Sequence, residues 1–251
     1  AERKRSFKTP NRSFVMNHFF FTFNYIFQGS RMKKAILATV IALCTTSAFA
    51  AETAVLKVKG TLTNSACTPE IGNGGVIDYG RINLGGLSAT ANNVLGQKEV
   101  PVTITCTAAT KVGFKIMDDR TDSNALLPVD INGNADISDS YYTYGIGKTA
   151  GGVKIGNYGL WMKDVTANGA TVDAILMNDN WGTDKWEKSV IPRSDAFFTS
   201  AFATTGTTEP LAITTAGFNF VSNLVIRDTA TLAITDDTQL DGQATMTLVY
   251  L

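Results

Sequence analysis

Two cysteines constrain this chain more than any other feature. Each closes a run of alternating residues: Lys57-Val-Lys-Gly-Thr-Leu-Thr-Asn-Ser-Ala-Cys67 and Val102-Thr-Ile-Thr-Cys106. In the second run Val102, Ile104 and Cys106 share one face and Thr103 and Thr105 the other, the period of a half-buried β-strand. Cys106 therefore points into a core. A bridge from Cys67 to Cys106 would enclose a loop of about 40 residues and contribute on the order of 3–4 kcal/mol. We expect two strands joined by that disulfide, with Cys67 ending the first strand just before Pro69.

The bridge needs an oxidising compartment, and the N-terminal region supplies one. From Met32 the chain reads Met-Lys-Lys, the apolar run Ala35-Ile-Leu-Ala-Thr-Val-Ile-Ala-Leu-Cys44, and Thr-Thr-Ser-Ala-Phe-Ala50. That is the pattern of a signal peptide over residues 32–50, with cleavage expected between Ala50 and Ala51. The apolar run is about half of the roughly 20 residues a bilayer span needs. Residues 1–31 carry the aromatic run that starts at His18 and precede a complete leader, so we expect them to be upstream translation rather than structure.

Removing residues 1–50 changes the composition that matters. Residues 51–251 hold 14 Lys and Arg against 21 Asp and Glu, a net charge of −7. A nucleic-acid partner is not expected at that charge. The one histidine, His18, and Cys44 both fall in the removed part. Histidine-based catalysis and zinc sites are therefore not expected, and neither is a cofactor or other metal.

The remaining 201 residues are rich in Thr, Gly, Asn and Asp and show no helical periodicity over three turns. Short alternating runs recur instead, separated by glycine and asparagine turns. We read Pro69 to Gly75 as a turn and Val76 to Ile82 as a short strand. Lys98 to Cys106 follows as a strand with Pro101 at its start or on an edge, then Lys111 to Met117. Further strands are expected at Tyr141 to Gly147, Tyr158 to Asp164, Thr171 to Met177, Leu211 to Thr215 and Phe218 to Arg227. Phe197 to Phe202 fits a strand or a turn of helix. In the last run Ala244, Met246, Leu248 and Tyr250 alternate with Thr245, Thr247 and Val249. The fold class is all-β, one domain over 51–251 with an enlarged middle region at about 118–200.

Three stretches invite chemical readings. Asp130-Ile-Asn-Gly-Asn-Ala-Asp136 alternates acids as a calcium loop does, but its glycine comes at the fourth place and Tyr141 takes the place of the bidentate Glu, which leaves a solvated turn. Trp181 and Trp186 stand among Asn178, Asp179, Asn180 and Asp184, as an aromatic face beside amides does in a sugar-binding surface. Trp161, between Leu160 and Met162, reads as core. A hydrolase using Asp118, Asp119 or Asp184 is the third reading, although nothing in the sequence pairs these acids across a cleft.

The run Lys59-Gly-Thr-Leu-Thr-Asn-Ser-Ala-Cys67, the second cysteine in Val-Thr-Ile-Thr-Cys106 and the alternating ending with Tyr250 penultimate resemble the chaperone-usher fimbrial subunits. The segments Cys67 to Gly80, Gly147 to Tyr158 and Val249-Tyr-Leu251 are similar to those of enterobacterial fimbrial-like exported proteins. The resemblance implies an immunoglobulin-like, pilin-type β-sandwich missing its last strand and completed by a donated one. The groove left open would be walled by Ala244, Met246, Leu248 and Tyr250. The implied partners are a periplasmic pilus chaperone, an outer-membrane usher and other fimbrial subunits, in the periplasm or a fimbrium at the surface of a Gram-negative cell. The implied function is structural and adhesive, not enzymatic. A carbohydrate-binding adhesin that contacts a host glycan through Trp181 and Trp186 is the alternative.

Overall fold

In a computed structural model the described residues are 66–177 and 185–251, and their regular secondary structure is almost entirely β-strand. In chain order the strands are β1 (Cys67–Ile71), β2 (Asn93–Asp118), β3 (Val129–Ile131), β4 (Asn134–Ile137), β5 (Thr143–Gly145) and β6 (Gly156–Ala167). They continue with β7 (Ala170–Met177), β8 (Trp186–Lys188), β9 (Thr199–Thr204), β10 (Ala212–Ile226) and β11 (Ala244–Tyr250). A single helical turn, α1 (Thr229–Leu232), is capped by the Asp228 carboxylate, which accepts from Thr231 N.

The 26-residue β2 is the spine of the fold. Its first half pairs with β1 on one side and β10 on the other. Its second half pairs with β11 and, at Phe114, with Ser200 of β9. β10 continues to β6 and β9 to β7, and β6 and β7 meet at Thr166–Thr171 and Ala167–Ala170. The order β6-β10-β2-β9-β7 thus returns on itself as a ring of five strands, to which β1, β5, β8 and β11 are added. All pairings are antiparallel, which lets inward and outward side chains alternate along every strand.

The interior follows from that alternation. Val102, Ile104, Phe114, Ile116, Leu160, Met162, Phe202, Phe218 and Phe220 are buried in one cluster. Phe218 packs edge-on against Phe220 at 4.9 Å and stacks on Phe114 at 5.5 Å, arrangements the ring quadrupoles favour. The outer face of β6 and β10 is also covered. The β3–β4 hairpin lays Val129 and Ile131 over Trp161, Val221 and Val225. Gly159 makes room for it, since a Cβ there would lie 2.3 Å from Ile131 Cγ1. The enlarged middle region is therefore partly a second apolar layer, and Trp161 is core.

Cys67 and Cys106 are bonded and directly opposite each other across β1 and β2. Such a bond belongs to an oxidising, exported environment. No helix among the described residues is long and apolar enough to cross a membrane.

Several local expectations are corrected. β1 does not end before Pro69 but runs through it to Ile71. Thr107 N donates to Ala66 O and Gly72 N to Pro101 O, which makes Pro69–Ile104 a pair without ladder bonds. The missing amide at Pro69 therefore faces away from β2 and costs no bond. Pro101 lies inside β2, opposite the point where β1 stops, so its missing donor leaves no strand partner unserved. The two runs 98–106 and 111–117 are one strand. So are 211–215 and 218–227, with a register irregularity between Ile213 and Thr215. Val76 to Ile82 forms no strand, because no ladder forms beside it and Gly80 breaks the extended run at φ +68°.

Candidate functional site

β11 pairs with β2 and with no other strand among the described residues. Its ladder has a definite parity. Asp119 N donates to Gln243 O and Leu251 N to Lys111 O, so odd-numbered residues carry the bonds to β2 throughout the unbroken register between them. The backbone N–H and C=O groups of Ala244, Met246, Leu248 and Tyr250 consequently point to the outer edge. Of these, Ala244, Met246 and Leu248 turn their side chains inward onto the main core, while Thr245, Thr247 and Tyr250 are exposed.

Beside that edge lies a groove of about 980 Å³. Its floor is apolar, built from Val100, Ile116, Leu160, Phe220, Leu224 and Ile226. One wall is Ala244 and Met246 with the loop that leads into them, and the other is the extended segment 75–84. Ile77 packs on the main core and Tyr79 on the cluster around Leu224 and Ile226, while Asp78 between them is exposed. This wall has strand-like alternation without strand pairing.

One side chain ties the unpaired wall to the sheet. The Tyr79 hydroxyl donates to Ser222 O at 3.0 Å, with Ser222 Oγ at 3.1 Å and Gly96 O at 3.2 Å. Burial pushes its pKa up, partly offset by the Ser222 hydroxyl, so the phenol stays a donor. The opposite wall is held at its base by Arg120. Its guanidinium grips both oxygens of Asp241 at 2.9 and 3.1 Å and reaches Gln243 Oε1 at 3.1 Å, the planar fork that suits a carboxylate. Asp118, buried beneath, accepts from Arg120 N and Gly145 N at 2.9 and 3.0 Å. Burial raises its pKa and the two amides partly offset this. At the far end of β11 from Ala244, the Tyr250 hydroxyl accepts from Cys67 N at 2.9 Å.

The residues singled out from the sequence are distributed unevenly. Ala244 and Met246 line the groove, whereas Leu248, which packs on the main core, and Tyr250, 48% exposed, are not part of its lining. Trp186 opens β8, where it packs against Ile175, Ala201 and Ala203. Trp181, Asp184, Ala50, Ala51 and the leader lie outside the described residues. Asp130 accepts from Gly133 N in the β3–β4 turn. Asp118 is spent on backbone amides and Asp119 accepts from Thr245 Oγ1 at 2.7 Å. The sequence reading did not assign the wall 75–84 to the site, although the inward spacing of Ile77 and Tyr79 is a signal for it.

Residues 56–159, which span β1, β2 and the wall 75–84, match a family described as a protein of unknown function, DUF1120. The chain is similar to Uncharacterized protein YhcF of Escherichia coli K12, with 28% identity over 225 residues that cover 82% of this chain and 93% of that protein. It is also similar to Protein GltF of the same organism, with 28% identity over 257 residues, 85% of this chain and 97% of that one.

Proposed function

We propose that the chain is a non-enzymatic fimbrial-type subunit, structural and adhesive, whose sandwich lacks one strand and is completed by a strand from a periplasmic chaperone or a neighbouring subunit. The observation that carries this reading is the outer edge of β11, with no strand partner among the described residues, beside a groove with an apolar floor. A strand laid there meets the outward backbone groups of Ala244, Met246, Leu248 and Tyr250 on one side and the unpaired segment 75–84 on the other. Strand addition to an open edge takes affinity from those main-chain bonds and specificity from alternate side chains in the floor. Left uncovered, the same edge would favour aggregation. The immunoglobulin-like description belongs to the same reading: the ring order β6-β10-β2-β9-β7 and the covalent tie of β1 to β2 fit a sandwich whose strands pass from one sheet to the other.

The parity of β11 makes the test residue-specific. Amide exchange is followed on the purified chain with and without a synthetic strand of alternating Val and Thr. The amides of Met246, Leu248 and Tyr250 are expected to slow markedly on adding the strand, while those of Thr245, Thr247 and Val249, already bonded to β2, change little. Unchanged exchange at the even positions with saturating peptide would end the reading.

A further inference from the structure

The charges around the groove are one-sided. The charged residues that line it are Asp78, Arg81, Asp236 and Asp237, three carboxylates against one guanidinium. Arg81 is already engaged: its Nη2 lies 3.1 Å from Asp237 Oδ2, joining the segment 75–84 to the loop that precedes β11. The Asp78 carboxylate accepts from Gly80 N and that of Asp236 from Thr235 Oγ1, and neither has an ion-pair partner among the described residues. Arg120, which reaches the groove residue Gln243, is paired with Asp241, and on the far side of Asp78 Lys98 and Glu99 line a second, smaller pocket with it.

We infer that the strand taken up by this groove belongs to a separate, basic partner and carries lysine or arginine at its outward positions beside Asp78 and Asp236–Asp237. The inference rests on the strand-acceptor reading and adds the chemistry of the occupant. An inserted strand turns every second side chain down to the floor and every second one out to solvent. The floor takes aliphatic side chains, and the outward ones pass within reach of the rim carboxylates. Outward acids would add like charges to a rim already in excess of them, whereas outward cations would balance it.

The test uses two fluorescently labelled strands of about nine residues, enough to run the length of β11 at about 3.3 Å per residue. Both carry Val and Ile at alternate positions; one has Lys and the other Glu between them. Binding to the purified full chain is measured by anisotropy. At low salt the Lys strand is expected to bind about tenfold more tightly, a few-fold per exposed charge. The gap should close at about 1 M salt, where the screening length is about 3 Å. It should also close in the double variant Asp236→Asn with Asp237→Asn, whose side chains are exposed enough to change without disturbing the core. Equal binding of both strands, unaffected by salt or by the double variant, would overturn the inference and leave the acceptor reading standing. Failure of both strands to bind would overturn both. Head-to-tail polymers formed by the chain alone would assign the groove to a second copy and overturn the assignment to a separate partner.

Discussion

Replacing Leu248 by Lys tests the register of β11 directly. Leu248 turns inward and packs, half-buried, on the main core. Full burial of a leucine is worth about 1.5–3 kcal/mol, so losing half of that costs about 1 kcal/mol. The ammonium must then either stay in an apolar site or drag its stem out along the edge, which adds roughly 1–3 kcal/mol. The sum is about 2–4 kcal/mol, or about 5–15 °C in Tm for a domain of this size. Thr247→Lys is the matched control. Its side chain faces water and its backbone bonds to β2 are untouched, so the expected change is within about 0.5 kcal/mol. Thermal unfolding by circular dichroism, with the disulfide intact, separates the two. Equal losses, or a larger loss for Thr247→Lys, would show that the strand is displaced by one residue and that the groove has been assigned to the wrong face.

Cys106→Ser removes the tie between β1 and β2 and should lower stability by about 3–4 kcal/mol; peptide mapping of the unreduced wild type should recover the Cys67 and Cys106 peptides joined. Tyr79→Phe should cost about 1 kcal/mol of stability but weaken strand uptake more than that, because the hydroxyl anchors the unpaired wall; equal affinity for the synthetic strand in variant and wild type would refute the anchoring role. For pH, Asp173 is held below the usual carboxylate range by Lys188, so its folded pKa is the lower one. The stability it contributes is present above about pH 4 and is lost as pH falls through the folded value. Asp173→Asn should therefore flatten the acid limb in urea unfolding. Asp118 has the opposite sign: burial raises its folded pKa, so the native state binds a proton more readily and stability declines as pH rises from about 4 through the raised value. Asp118→Asn should abolish that decline, and persistence of the decline would refute the assignment.

The all-β class, the bridge and the inward face of β11 were legible because each rests on a period of two along one strand. Ala244, Met246 and Leu248 could be assigned to a face from the sequence alone. What was not legible depended on partners distant in sequence. The strands 98–106 and 111–117 merge because β10 pairs on one side almost throughout, as far as Lys111, which no local run of residues reports. Pro69 looked like a terminator, yet its position in the ladder makes its missing donor harmless. Val76 to Ile82 has a strand's alternation but lacks a neighbour to pair with, so it became a wall of the groove. The closure of five strands into a ring, through narrow contacts at Phe114–Ser200 and Thr166–Thr171, leaves no trace in local periodicity.

The contact between Tyr250 and Cys67 has a mechanical consequence. The first described strand and the last one meet at one corner, where Tyr250 Oη accepts from Cys67 N and the disulfide carries the same point covalently into β2. Tension applied through the segment upstream of β1 enters at Cys67, crosses to Cys106 through sulfur and skips residues 68–105 altogether. If the opposing pull comes through a strand held on β11, the load path runs from Cys106 along about six residues of β2 to the Val112–Tyr250 pair and out through β11. The ladder between β2 and β11 lies on that path, in series with the ladder of the donated strand on β11. The hairpin layer over Trp161 and the strands beyond β10 lie off that path.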